Sequence, residues 1–440
     1  MGVVSQDQLA WALTLVPLGA RDRRAASLVC TAWRDAIDAS WSYSGIAVRD
    51  NAVADLLLQP RWDALGRLTV YAPGDPRLRT AFAGLPREMP ALWHLHLRRV
   101  ALPPVQLTGA LWAGVLGKAV NLRSVDLELQ MYMTNYGLYL SYARALLVQG
   151  ADRLEAVALR GRGLVVYPLG LAAMETDTAF FAAQEARAWP VVCLPLLKTY
   201  VNTGRQFASL AIDAYRLRTA EIEEPDVGDW ILQRMGPGCR GLRTLTWSVP
   251  VPYNAGAFPM FSGVVQRFPA LRDLSLTFRG VKTPADLGVA LRALSALPRG
   301  LHRLAVDVDV RWPFGPVDWD RAAPLAHLAD LRDLSLRVSY ATKGFEGALD
   351  LLGAPAGVDR VTIGARHACF PRGDDNAGDD GDDDDNDDSD GDDDEFAGMH
   401  LSSWDINPRV ARALADRPAC HVTVENLPVT LVHPRCCVVK

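Results

Sequence analysis

The 440-residue chain has few cysteines, no long apolar run and no catalytic signature. Its seven Cys, from Cys30 to Cys437, are odd in number and form no C-x-x-C pair. That argues against a structural zinc site and against a secreted disulfide framework, and it points to a reducing compartment. No window of about 18 uninterrupted apolar residues exists, so no transmembrane helix is expected. Asp7, Arg21 and Asp22 interrupt the N-terminal region, so no secretory signal is read there. The chain also lacks G-x-S-x-G, G-x-x-x-x-G-K-[ST], H-E-x-x-H and a nucleotide-binding glycine fingerprint. Enzyme activity and a cofactor are therefore not expected. Basic residues are missing from one stretch: residues 374–395 hold 14 Asp and one Glu and no Lys or Arg. The net charge of -5 hides this, since outside that stretch 36 acidic residues face 46 basic ones. The basic charge is spread along the chain, so a nucleic-acid partner is not indicated.

What the chain has in quantity is repetition. Leu331-Arg332-Asp333-Leu334-Ser335-Leu336 repeats the hexapeptide Leu271-Arg272-Asp273-Leu274-Ser275-Leu276. Looser copies of apolar-x-x-apolar-x-apolar begin at Leu65, Leu92, Leu122, Leu154, Leu217, Leu242, Leu301 and Val358. From Leu217 onward the steps are 25, 29, 30, 30 and 27 residues. The gap from Leu154 to Leu217 has room for two units, with a degenerate copy near Leu194 or Leu197 and an irregular stretch over 161–190. Repetition at this period with this apolar core resembles the leucine-rich-repeat signature.

The spacing has a physical reading. The last two apolar positions of each copy lie two apart, so on a strand they share one face. One such unit cannot bury that face alone, whereas stacked units make a continuous core. Asp286 to Leu297 and Gly109 to Leu116 show helical spacing between strands. The expected fold is thus α/β, a leucine-rich-repeat solenoid of strand plus helix over residues 46–371. A doubly wound α/β fold is the alternative, though it does not require the repeated hexapeptide. Residues flanking the buried pair face the concave surface. The candidates there are Arg67, Tyr71, His94, His96, Arg98, Asp126, Glu128, Arg160, Glu221, Asp273, Arg303, Asp333 and Arg337. This mixed polar surface suits a protein partner. His94 and His96 share a face, but no carboxylate or Cys within their unit completes a metal site, so no metal is expected.

Residues 1–45 lack the repeat. Leu9, Trp11, Leu13, Leu15 and Val16 precede Pro17, a polar turn follows at 21–24, and Ala25 to Ile37 is amphipathic with Trp33. Leu18, Asp22, Ser27-Leu28-Val29-Cys30 and Trp33-Arg34 resemble the F-box, the motif by which substrate receptors of cullin-based ubiquitin ligases dock on the adaptor Skp1. The family's opening Leu-Pro is Asp7-Gln8 here, and Arg23 stands where an apolar residue is usual. An F-box followed by leucine-rich repeats is the arrangement of the F-box leucine-rich-repeat proteins. The resemblance implies a small helical domain that contacts a Skp1-like adaptor, and through it cullin and RING subunits, by Leu13, Leu15, Leu18, Leu28, Val29 and Trp33. It implies a target protein on the concave surface and a cytoplasmic or nuclear location. On residue pattern alone, 9–41 also reads as a plain cap on the first repeat.

Residues 372–398 are too acidic to form a core and read as a disordered insertion, either a solubility spacer or a lure for a basic partner. They are not an EF-hand, because Ala397 stands where the bidentate Glu is required. Order is expected to return over 399–440 as a last repeat or C-terminal cap, with a helix near Val410 to Leu414 and a strand at His421-Val422-Thr423-Val424.

Overall fold

The computed structural model describes residues 45–49, 65–71, 89–100, 115–130, 136–162, 191–204, 207, 210–223, 228–251, 258–310, 325–340, 357–367, 421–425 and 437–439. Several expectations lie outside them: the F-box-like residues Leu13, Leu15, Leu18, Leu28, Val29 and Trp33, the acidic segment 372–398, and the helix at Val410 to Leu414. The chain is α/β, built on parallel strands with few helices among the described residues, and divides into two compact units.

The first unit is Met1–Trp247 with Arg267–Leu271. Its strands are β1 (Gly45–Arg49), β2 (Arg67–Tyr71), β3 (His94–Val100), β4 (Ser124–Gln130), β5 (Ala156–Arg162), β6 (Val192–Cys193), β7 (Thr199–Asn202), β8 (Ile212–Asp213), β9 (Thr219–Ile222) and the start of β10 (Thr244–Pro250). Helices α1 (Tyr136–Gln149) and α2 (Gly228–Gln233) lie between them. The sheet runs β1-β2-β3-β4-β5-β7-β9-β10, each neighbour parallel, while β6 and β8 form a separate parallel pair.

The repeated apolar residues explain this arrangement. Leu92, Leu95 and Leu97 are buried, as are Leu122, Val125 and Leu127, and Leu154, Val157 and Leu159. The first residue of each trio closes a turn. Leu92 N–H bonds the Met89 carbonyl at 3.2 Å, and Leu122 N–H bonds Ala119 at 3.1 Å. The next carbonyl then accepts two N–H groups from the following strand: Trp93 O takes Arg123 N (3.0 Å) and Ser124 N (2.9 Å), and Arg123 O takes Glu155 N (2.7 Å) and Ala156 N (3.0 Å). Full burial of each such Leu contributes about 1.5–3 kcal/mol.

The degenerate copy begins at Leu197, 20 residues before Leu217. Tyr200 and Asn202 fill its two buried positions, opposite Val157 and Leu159 in register. Asn202 is satisfied there: its Nδ2 donates to Tyr200 Oη at 3.0 Å and its Oδ1 accepts Gly204 N–H at 3.2 Å. Burial pushes the Tyr200 hydroxyl well above its ordinary pKa. Twenty residues leave little room for a helix, and the connection from β7 to β9 instead contains the extended β8, with Phe207 and Leu210 buried. Among the described residues of this connection there is no α-helix, where the spacing predicts one. Gly236 N–H adds a further rung on Ile212 O at 2.7 Å.

The second unit is Ser248–Gln266 with Arg272–Lys440. It holds α3 (Phe258–Val265), β11 (Asp273–Val281), α4 (Pro284–Ala293), β12 (Arg303–Val310), β13 (Asp333–Tyr340), β14 (Arg360–His367), β15 (His421–Glu425) and β16 (Cys437–Val439). Strands β11 to β16 pair in parallel in chain order. The helix expected over 286–297 is present as α4 and a 3-10 turn at Leu294–Ala296. A reciprocal cap starts it: Asp286 N–H donates to Thr283 Oγ1 (3.1 Å) and Asp286 Oδ2 accepts Thr283 N–H (3.0 Å). Register slips between Phe278 and Val281, where Gly280 takes φ 76°, a conformation that suits Gly.

Candidate functional site

In the first unit the residues flanking the buried pairs align in rows across the strands. Thr69, His96, Asp126 and Ala158 are successive register partners, followed by Val201, Glu221 and Thr246. The row before it carries Arg67, His94, Ser124, Ala156, Thr199, Thr219 and Thr244. Period-2 alternation therefore gathers most of the sequence-selected residues of this unit on one sheet face.

Their interactions are specific. His94 Nδ1 lies 2.8 Å from Ser124 Oγ. His96 Nε2 is 3.7 Å from Asp126 Oδ2, whose other side meets Arg160 Nε at 3.3 Å to Oδ1. Arg98 Nε approaches Glu128 Oε2 at 3.4 Å. Burial lowers both His pKa values, with Arg67 acting further on His94, while Asp126 opposes the shift on His96. Glu221 is shifted upward, first by burial and then by the charge of Glu223. Tyr71 stands opposite Arg98 in register. Arg67 is exposed and places its guanidinium 5.3 Å from the Trp93 ring centroid.

Glu128 stands apart from the other selected residues of this unit. It is only 2% accessible, near the register slip between Leu97 and Val100 on β3. A strict alternation pattern carries no sign of such a slip.

The second unit presents its own row: Asp273, Arg303, Asp333, Arg360 and His421 are successive register partners. Asp333 Oδ2 receives Arg303 Nε at 3.2 Å and Arg360 Nη2 at 2.9 Å. Arg337, opposite Asp307, is exposed. Cross-strand pairs of opposite charge stabilise a sheet modestly.

Sequence reading overlooked the residues just ahead of the strands. Glu155 there pairs with Lys198 Nζ at 2.6 Å and Arg123 Nη1 at 3.2 Å, and the Lys198 hydrogen bond holds its carboxyl below the usual range. The signal was available, since each follows the first apolar residue of its copy.

Chemically, these faces offer charged and hydrogen-bonding groups for recognition. Among the described residues, no three His, Cys, Asp or Glu side chains are placed to hold a metal ion. No described helix is long and apolar enough to cross a membrane. No family model matches the chain, and no curated protein matches it.

Proposed function

We propose that the chain is a substrate-recognition subunit of an SCF-type ubiquitin ligase, an F-box protein with leucine-rich repeats. The observation that carries the reading is the parallel strand series opened by the repeated apolar motif, preceded in sequence by the F-box-like residues. In this reading residues 1–45 hold a Skp1-like adaptor through Leu13, Leu15, Leu18, Leu28, Val29 and Trp33, and residues 46–371 are the solenoid. The concave candidates, from Arg67 through Arg337, hold the target protein, in the cytoplasm or nucleus. No residue of the chain performs ubiquitin transfer. Its contribution is proximity, which raises the effective concentration of target beside the loaded enzyme.

Asp7-Gln8 and Arg23, in place of the family's residues, favour one other reading. There the repeats serve as an interaction scaffold and residues 9–41 only cap the first repeat. Capture of purified Skp1 by the full chain, compared with a Leu28→Asp/Trp33→Ala variant, separates the two. Binding by the wild type and loss in the variant supports the ligase receptor. No capture by either leaves the scaffold.

A further inference from the structure

The backbone ladder of the first unit fixes a second row of side chains, one residue ahead of the strands. Arg123 O accepts Glu155 N–H, Glu155 O accepts Lys198 N–H (2.7 Å), Lys198 O accepts Arg218 N–H (2.9 Å), and Arg218 O accepts Arg243 N–H (2.9 Å). These five residues open β4, β5, β7, β9 and β10, which are consecutive in the sheet. They are therefore held at about the 4.8 Å strand spacing. Four of the five are cationic, and Lys198, Arg218 and Arg243 follow one another without an intervening carboxylate. All four cations are exposed. The one carboxylate, Glu155, is engaged with Arg123 and Lys198. Arg218 is oriented by a hydrogen bond from Nη1 to Gly241 O at 2.8 Å.

We propose that this row, Arg123, Lys198, Arg218 and Arg243, is a docking strip for an acidic peptide segment of a partner protein. Neighbouring like charges fixed on adjacent strands repel one another, and a run of carboxylates laid across the strands relieves that repulsion. A peptide fits better than single-stranded nucleic acid, which requires aromatic platforms for its bases. The aromatic residue that precedes this row, Trp93, already carries the Arg67 guanidinium near its ring. The strip is distinct from the sheet face proposed to hold the ligase target, so it stands or falls independently of that reading.

The test uses the full chain and fluorescence anisotropy with a labelled peptide of alternating Glu and Ser, beside an oligothymidylate of equal charge. Lys198→Gln/Arg243→Gln weakens peptide binding at least about tenfold, and Glu155→Gln, which removes the opposing carboxylate, strengthens it. Arg292→Gln/Arg299→Gln, an equal charge change at exposed positions off the strip, leaves it unchanged. Peptide binding that ignores Lys198→Gln/Arg243→Gln overturns the proposal. So does an oligothymidylate that binds more tightly than the peptide and loses affinity with the same variant. Peptide binding that emerges only when the Asp residues of 374–395 are changed to Asn also overturns it, because the chain's own acidic segment is then the occupant.

Discussion

Asp213 Oδ1 accepts the backbone N–H of Gly238 at 2.6 Å, so a buried carboxylate anchors the turn that leads into β10. The contact leaves no room for side chains. A Cβ at Gly236 would stand 2.6 Å from Asp213 Cγ, and one at Gly238 would stand 2.5 Å from Oδ1. Asp213→Ala should destabilise by about 1–3 kcal/mol through the lost partner. Gly238→Ala should cost a similar amount, about 1–3 kcal/mol, through overpacking. Urea unfolding of each variant checks both, and wild-type stability in Gly238→Ala would contradict the geometry.

Asn202 presents the opposite case to an ordinary core position, because its burial depends on being polar. Asn202→Ala removes the acceptor for Gly204 N–H and the donor to Tyr200 Oη, with an expected loss of about 1–3 kcal/mol. Asn202→Leu should not rescue, although Leu159 occupies the matching position one strand away. Denaturant midpoints for the two variants decide the matter: a stabilising Asn202→Leu would show that the hydrogen bonds are dispensable.

Asp333, shared by Arg303 and Arg360, should contribute less than its geometry suggests. Both Arg side chains are 59% exposed, so solvent screens them. Asp333→Ala is expected to cost under about 1 kcal/mol, with the difference from wild type shrinking at high salt. Unfolding at low and high ionic strength measures it.

The titrating groups on the first unit's sheet face act in opposite directions. Glu221 has a folded pKa raised above its ordinary 4.5, so its ionisation penalises the fold as pH rises through that interval. Glu221→Gln should therefore stabilise at neutral pH and lose its advantage below the ordinary value. His94 and His96 have folded pKa values below 6.5, so stability is lost as pH falls from 6.5 through the folded values. His96→Gln should flatten that decline. Melting temperatures of the wild type and both variants between neutral and mildly acidic pH give the sign of each contribution.

Cys239 is buried and its thiol is pushed up to about 11 by burial, whereas Cys193 is exposed. Native maleimide labelling followed by peptide mapping should modify Cys193 and spare Cys239. Rapid labelling of Cys239 would indicate that the turn at Pro237–Gly241 opens readily.

The strands were legible because hydrophobic spacing is a local property. Leu-x-x-Leu-x-Leu places a turn, a strand and a buried pair within six residues, and Leu271 and Leu331 open β11 and β13 as that pattern requires. The copy at Leu197 was only half legible, because Tyr and Asn occupy buried positions and only the partner groups at Tyr200 Oη and Gly204 N make Asn202 acceptable there. Helices followed the same logic: the Thr283-to-Asp286 cap announces α4, while the short β7-to-β9 step holds the extended β8. At the candidate site, alternation assigned His96, Asp126 and Glu221 to one row. It could not anticipate the burial of Glu128, nor that Glu155 would draw Arg123 and Lys198 together across neighbouring strands.

The double acceptance by one carbonyl at the start of β3, β4, β5, β7, β9, β10, β12, β13 and β14 has a consequence for the lengths of the connections. Alignment of a strand with its predecessor is set at that point, not by the length of chain that came between. Copies opening at Leu197 and Leu217 are 20 residues apart, yet the same carbonyl contact recurs where Arg332 O receives Asp359 N (2.8 Å) and Arg360 N (3.0 Å) after a longer step. A connection can then lengthen or shorten without misaligning the rows of side chains on either side of it. The loops of this protein can differ in length while its strands keep the same alignment.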